Sequence, residues 1–216
     1  MKYSALILVL ILALADVTDG QKQLPAPPET VAVQMPVSYG LVIDNSGSYR
    51  TLLEKVINLA SGIVEENKPG DETFLVTFIS TQKIVLRQEL TENKGEIRDA
   101  VENMFIEGGL TAIVDAVKSS ADYLSENARS DTDRYRALVI ITDGDERQST
   151  ARIEDVIKIL RDAKIRVFVL ALAEDKVYPK VIDRMCKETG GVKYTPKTRD
   201  EIAAAVKSLV SAIRTK

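Results

Sequence analysis

Histidine is absent from the 216 residues, and there is a single cysteine. Without an imidazole the chain has no Ser-His-Asp or Cys-His catalysis, no HExxH zinc site and no histidine acid–base group. One thiol allows neither an intramolecular disulfide nor a four-thiolate zinc site. That thiol, Cys186, falls beside Met185 in the apolar phase of an expected helix and reads as a small core residue rather than a nucleophile. An excess of basic charge is also lacking, with 29 Lys and Arg against 32 Asp and Glu. The net charge is −3 and the pI near 5.3, and no Lys/Arg run interrupts this, which argues against nucleic acid or an anionic membrane surface as partner. No GxxxxGK[ST] phosphate loop is present, and no internal repeat of about 20–50 residues.

What is present is apolar substance for one core: 45% of residues are apolar and 28% charged, at a length that supports one main domain. Residues 1–15 read as a signal peptide. Lys2 supplies a basic start, Tyr3 to Ala15 is apolar, and Ala13-Leu14-Ala15 offers a small-x-small cleavage pattern. An uncleaved anchor is the alternative, although the run is shorter than the ~20 residues that span a bilayer. The expected destination is secreted or periplasmic, with no other membrane association. Residues 16–36 form a spacer with Gly20, Pro25, Pro27 and Pro28, and Val31-Ala32-Val33 is a candidate start of an edge strand before Pro36. The domain proper is expected over 37–216, as a monomer.

From position 37 two periods alternate. Continuous apolar runs at Val37–Ile43, Phe74–Ile79, Ala137–Thr142 and Val167–Leu172 suit strands buried on both faces of a mainly parallel sheet. Between them Leu53, Val56, Ile57 and Ala60 follow helical spacing, as do Ile97, Ala100, Val101 and Met104, then Ile153, Val156, Ile157 and Leu160. Further helices are expected at about Thr111–Leu124, about Tyr178–Lys187 (ended by Gly190-Gly191) and Ile202–Ile213. Only Ser80-Thr81-Gln82 separates Phe74–Ile79 from Lys83–Leu86, a gap that makes a hairpin and an antiparallel edge strand. The expectation is an α/β doubly wound fold: a mostly parallel sheet with one antiparallel edge strand and helices on both faces.

In such sheets ligands sit at the carboxyl ends of strands near the reversal of strand order. Three loops there carry oxygen-bearing residues and glycine: Asp44-Asn45-Ser46-Gly47-Ser48, Gly108-Gly109-Leu110-Thr111-Ala112 and Thr142-Asp143-Gly144-Asp145. Two carboxylates and three hydroxyls suit a hard cation, and Mg²⁺ takes about six oxygens with several waters among them. Each residue also has a plainer role. Asp44 and Ser46 are good caps for a helix starting near Tyr49, Thr111 a helix N-terminal residue, and Asp143-Gly144 a turn. Asp145, Glu146 and Arg147 read as an exposed loop of solvated charges, and Glu126–Arg136 as a surface loop. Tyr49 and Arg50 are candidates for the rim of a binding face, where Arg50 would favour an incoming carboxylate and Asp145 and Glu146 would oppose it.

Taken in order, Asp44-x-Ser46-x-Ser48 with Thr111 and Asp143 resembles the metal-ion-dependent adhesion site of the von Willebrand factor A domain, over residues 37–214. Leu41–Ser48, Phe74–Phe78 and Leu138–Gly144 carry the same resemblance, which implies a six-stranded, Rossmann-like sheet, and Pro69-Gly70-Asp71-Glu72 is similar to the secreted bacterial branch. The resemblance implies that Ser46 and Ser48 hold the metal by hydroxyl, that Thr111 joins them in the ligand-competent state, and that Asp44 and Asp143 act mostly through water. The implied ion is Mg²⁺ before Mn²⁺ or Ca²⁺, and its outer ligand an Asp or Glu of a protein partner. The implied function is a non-enzymatic binding module in which the last helix, Ile202–Ile213, either switches or simply packs. The alternatives are a Mg²⁺-dependent phosphatase or phosphotransferase of the haloacid dehalogenase kind, with Asp44 as nucleophile, and a structural domain with a vestigial site. The phosphatase lacks its usual acid–base Asp, because Ser46 stands there.

Overall fold

The computed structural model describes residues 35–130 and 133–215. The expected signal stretch, nearly all of the spacer and the Val31–Val33 segment lie outside the described residues. Strands β1 (Val37–Asp44), β2 (Glu72–Phe78), β3 (Ile84–Thr91), β4 (Tyr135–Thr142), β5 (Ile165–Ala171) and β6 (Lys193–Tyr194) alternate with helices α1 (Leu53–Glu65), α2 (Lys94–Glu102), α3 (Ile113–Asn127), α4 (Ile153–Asp162), α5 (Pro179–Thr189) and α6 (Arg199–Ile213). The strand order is β3-β2-β1-β4-β5-β6. Every neighbouring pair is parallel except β2 with β3. The expected doubly wound sheet with an antiparallel edge strand is therefore the observed fold.

The apolar runs are continuous because both sheet faces are covered. Along β1, Leu41 and Ile43 enter the core under α1, α2 and α6, while Val42 enters the opposite core under α3, α4 and α5. All eight residues of β1 are buried. Its neighbours β2 and β4 leave in opposite senses, since the chain winds outward through β2 and β3 and then returns to place β4 on the other flank of β1. The crevice between the carboxyl ends of β1 and β4 is thus the switch point at which such sheets bind ligands.

Several boundaries differ from the sequence reading. Strand β3 runs to Thr91, because its polar residues alternate on a half-exposed edge instead of forming an apolar run. Helix α3 begins at Ile113 rather than Thr111: the Ala112 N–H is drawn to the Ile79 carbonyl at 2.8 Å, which holds Thr111 in the loop before the helix. The segment 126–136 is not simply a surface loop. Helix α3 takes its first two residues and β4 its last two. Arg134 within it is buried, with its side chain 4% exposed and paired to Glu72 (5%) at 2.7 Å.

Candidate metal centre

Strand β1 delivers Asp44 to the switch point with 1% of its surface exposed. One carboxylate oxygen accepts the Ser46 N–H at 3.0 Å, and the other accepts the Thr142 hydroxyl at 2.8 Å. A 3-10 turn, Gly47–Tyr49, follows before α1, and Ser46 at its start makes no side-chain capping bond. The helix-cap role is therefore not how this serine is used. Its hydroxyl lies 3.0 Å from that of Ser48. Asp143 stands beside them at the exit of β4, and its Oδ1 accepts the Asp145 N–H at 3.0 Å. Three of the five expected residues, Asp44, Ser46 and Ser48, thus form one hydrogen-bonded group, buried at Asp44 and opening to solvent at Ser48, with Asp143 near enough for its charge to act on Asp44.

Thr111 stands apart. It is buried, but its hydroxyl donates to the Asp145 carbonyl, and its own carbonyl accepts from Arg147 N–H (2.9 Å) and Gln148 N–H (3.0 Å). It joins the other four through the 143–148 loop and not by direct contact with their side chains. That loop turns at Gly144, whose φ of +85° favours glycine and whose added Cβ would strike the Tyr178 carbonyl oxygen.

Electrostatically the site is short of compensation. Burial raises the Asp44 carboxyl to about 7, against the opposing pull of its bonds from Ser46 and Thr142. Burial raises the Asp143 carboxyl too, offset in part by the Asp145 N–H and the Ser48 hydroxyl. Two carboxyls whose charge is poorly solvated sit beside two neutral hydroxyls, an oxygen-only donor set that fits a hard divalent cation. Among the described residues no three His, Cys, Asp or Glu side chains cluster to hold a metal, so an ion here would rely on hydroxyls beside the two carboxylates.

The loop after β4 corrects the expectation of solvated charges. Glu146 is half-buried. It accepts the Val114 N–H at 2.9 Å at the start of α3, and both the N–H (2.9 Å) and the hydroxyl (2.8 Å) of Ser149. Asp115 reaches back from α3 to accept the N–H groups of Thr150 (2.9 Å) and Ala151 (2.8 Å) and the Thr81 hydroxyl (2.6 Å). Burial opposes its ionisation, yet these bonds together hold its carboxyl below the ordinary range. Thr142, Glu146 and Asp115 were not among the expected site residues. For Thr142 the only signal is a hydroxyl closing an otherwise apolar strand. Cys186 is a core residue as expected, and burial pushes its thiol up to about 12.

The family model of the von Willebrand factor type A domain matches residues 40–210, and the chain belongs to that family. Such domains generally act as interaction modules and commonly mediate protein interactions. An uncharacterized protein of Synechocystis sp. (strain PCC 6803) is 29% identical over 143 residues, covering 65% of this chain and 33% of that protein. The chain thus spans about a third of that relative's length. Among solved structures, an aerotolerance-related membrane protein from Bacteroides fragilis superposes with a TM-score of 0.68 at 18% identity, covering 82% of this chain and 98% of that one. The conserved hypothetical protein BatB from Bacteroides thetaiotaomicron gives 0.68 at 17% identity, with the same coverage. A von Willebrand factor type A structure from Catenulispora acidiphila gives 0.69 at 17% identity, covering 83% of this chain and 43% of that one. These likenesses concern the fold. They give no support to the haloacid dehalogenase alternative.

Proposed function

We propose that this domain is a non-catalytic, metal-dependent protein-binding module of an exported protein. A divalent cation, Mg²⁺ first, is held by the hydroxyls of Ser46 and Ser48, with Asp44 and Asp143 acting through water and Thr111 joining when a partner engages. The observation that carries this reading is the hydrogen-bonded group of Asp44, Ser46 and Ser48, with Asp143 beside it, at the β1–β4 switch point. Direct ligands that are mainly neutral leave the cation electrophilic, and an Asp or Glu carboxylate of the partner completes its shell. Ser46, where a phosphatase would need an acid–base carboxyl, argues against catalysis. Export rests on the composition of residues 1–15.

The test is calorimetric titration of Mg²⁺ and Mn²⁺ into the wild type and Asp44→Ala, alongside a generic phosphoester assay. Metal binding that is lost in the variant, without turnover in either, supports the module. Turnover that disappears with Asp44→Ala would sink it. Pull-downs with and without chelator then identify the partner.

A further inference from the structure

A cavity of about 700 Å³ opens beside the candidate metal centre, at the carboxyl ends of β5 and β6. Its size lies within the range that encloses side chains and small ligands. The floor is apolar, made by Leu52, Ala171 and Leu172, all buried, with Ile202 of α6. The rim is charged. Lys55, Lys197, Glu174 and Asp175 all line it, and none of the four is in an ion pair among the described residues.

The cavity and the metal centre share a wall. The segment 173–177 lines the cavity, and it is tied at both ends to the exit of β4 that carries Asp143. The Leu172 N–H donates to the Thr142 carbonyl at 3.2 Å, and the Tyr178 N–H donates to the Asp143 carbonyl at 2.8 Å. From the other side, the hydroxyl of buried Tyr49, next to Ser48, donates to the Leu172 carbonyl at 2.8 Å. One tyrosine side chain therefore separates the Ser48 backbone from the cavity floor. That span is ~9 Å, and an extended segment advances about 3.3 Å per residue, so at least about three residues cover it.

We propose that this cavity is a second subsite of the same binding face, taking an apolar side chain about three to five residues from the partner's metal-seeking acid. The inference rests on the metal-dependent reading above. The occupant it names is an extended partner segment carrying Asp or Glu and, at that spacing, Leu, Ile, Met or Phe. The apolar floor supplies the affinity at this subsite. The mixed rim accepts either sign of flanking charge, so charge selection falls to the metal alone.

The experiment is selection of a random dodecapeptide display library on the full chain in Mg²⁺, with elution by EDTA. The expected result is peptides that pair an acid with a large apolar residue at a fixed spacing of about three to five. In a synthetic copy of an enriched peptide, replacing the apolar residue by Ala should weaken binding roughly ten- to hundredfold, the worth of one buried aliphatic side chain. Ala173→Trp, which fills the cavity from its wall, should abolish this difference while leaving EDTA-sensitive binding of the acid in place. Thr195→Trp does the same from an exposed position, should the first variant fold poorly. Eluted peptides with an acid but no apolar bias would overturn the subsite and leave the metal reading standing. A bias unchanged in both tryptophan variants would do the same. No EDTA-eluted peptide at all would overturn both.

Discussion

The buried pair Arg134–Glu72 offers a sharp test of the fold, because one partner lies in a segment that looks solvated in the sequence. Glu72 Oε1 accepts from Arg134 Nη1 at 2.7 Å, from the Ser38 hydroxyl at 2.7 Å and from the Arg129 N–H at 3.0 Å. Arg134 also donates to the Ser38 hydroxyl (2.7 Å) and the Gly70 carbonyl (3.3 Å), while its Nε has no partner. Arg134→Met fills the space but strands a carboxylate that water hardly reaches. Breaking a buried pair from one side costs about 3–5 kcal/mol. At about 2–4 °C per kcal/mol for a domain of this size, Tm should fall by about 6–20 °C.

Adding Glu72→Gln removes the stranded charge and keeps an oxygen for Ser38 and Arg129, so the double variant should regain at least half of the loss. The unmatched Nε lowers the net worth of the native pair and favours that recovery. Urea unfolding followed by far-UV circular dichroism measures both, with the slope m unchanged. A single variant that costs no more than a surface pair such as Lys118–Asp122, about 0–1 kcal/mol, would refute the reasoning. So would a double variant no better than the single.

Four further outcomes are expected. Mg²⁺ at a hundredfold excess over its Kd should stabilise the wild type by about 2.7 kcal/mol and Asp44→Ala by much less, read as a Tm difference with and without EDTA. Gly144→Ala should cost at least about 2 kcal/mol in urea unfolding, from a left-handed φ of +85° and collision with the Tyr178 carbonyl; an unchanged midpoint would contradict the turn. Asp115→Ala should cost about 2–3 kcal/mol and speed hydrogen exchange at the Thr150 and Ala151 amides, with Asp115→Asn milder. Burial raises both the Tyr39 hydroxyl and the Cys186 thiol, the latter to about 12, so the folded chain keeps protons that the unfolded chain loses near ~8.5 (Cys) and ~10 (Tyr). Stability should then fall as pH rises through that window, by about 3 kcal/mol between pH 8 and pH 10.5, and a flat urea midpoint would show that these groups are not buried.

The fold was legible wherever a strand is covered on both faces. β1, β2, β4 and β5 announce themselves as unbroken apolar runs because helices pack on either side of each. The strands at the margins did not. β6 consists of Lys193 and Tyr194 alone, too short to carry any period, and β3 beyond Leu86 alternates Arg87, Gln88 and Glu89 against an exposed edge. Arg134 was misjudged for a related reason. A charge reads as solvated unless its partner is known, and Glu72 stands on another strand, far away in the sequence. Of the site, the oxygen-bearing residues were legible because their types and order are themselves the signal. The hydrogen bonds that hold them were not, since Thr142 meets Asp44, and Glu146 meets Val114, only after the sheet has formed.

That unseen frame also bears on how the site would engage a partner. Thr111 is the expected ligand whose hydroxyl bonds outside the Asp44–Ser46–Ser48 group, to the carbonyl of Asp145, while the Asp145 N–H holds Asp143. A cation that draws Thr111 inward must turn the Asp145 carbonyl away, and so must disturb the peptide that orients Asp143. The two residues are coupled through one loop. The reach of that movement is limited, because Glu146 fastens the loop to the start of α3 and Asp115 fastens its far end at Thr150 and Ala151. In the proposed reading, rearrangement on binding is therefore concentrated in Gly144 and Asp145, where glycine tolerates it, and does not spread along the loop.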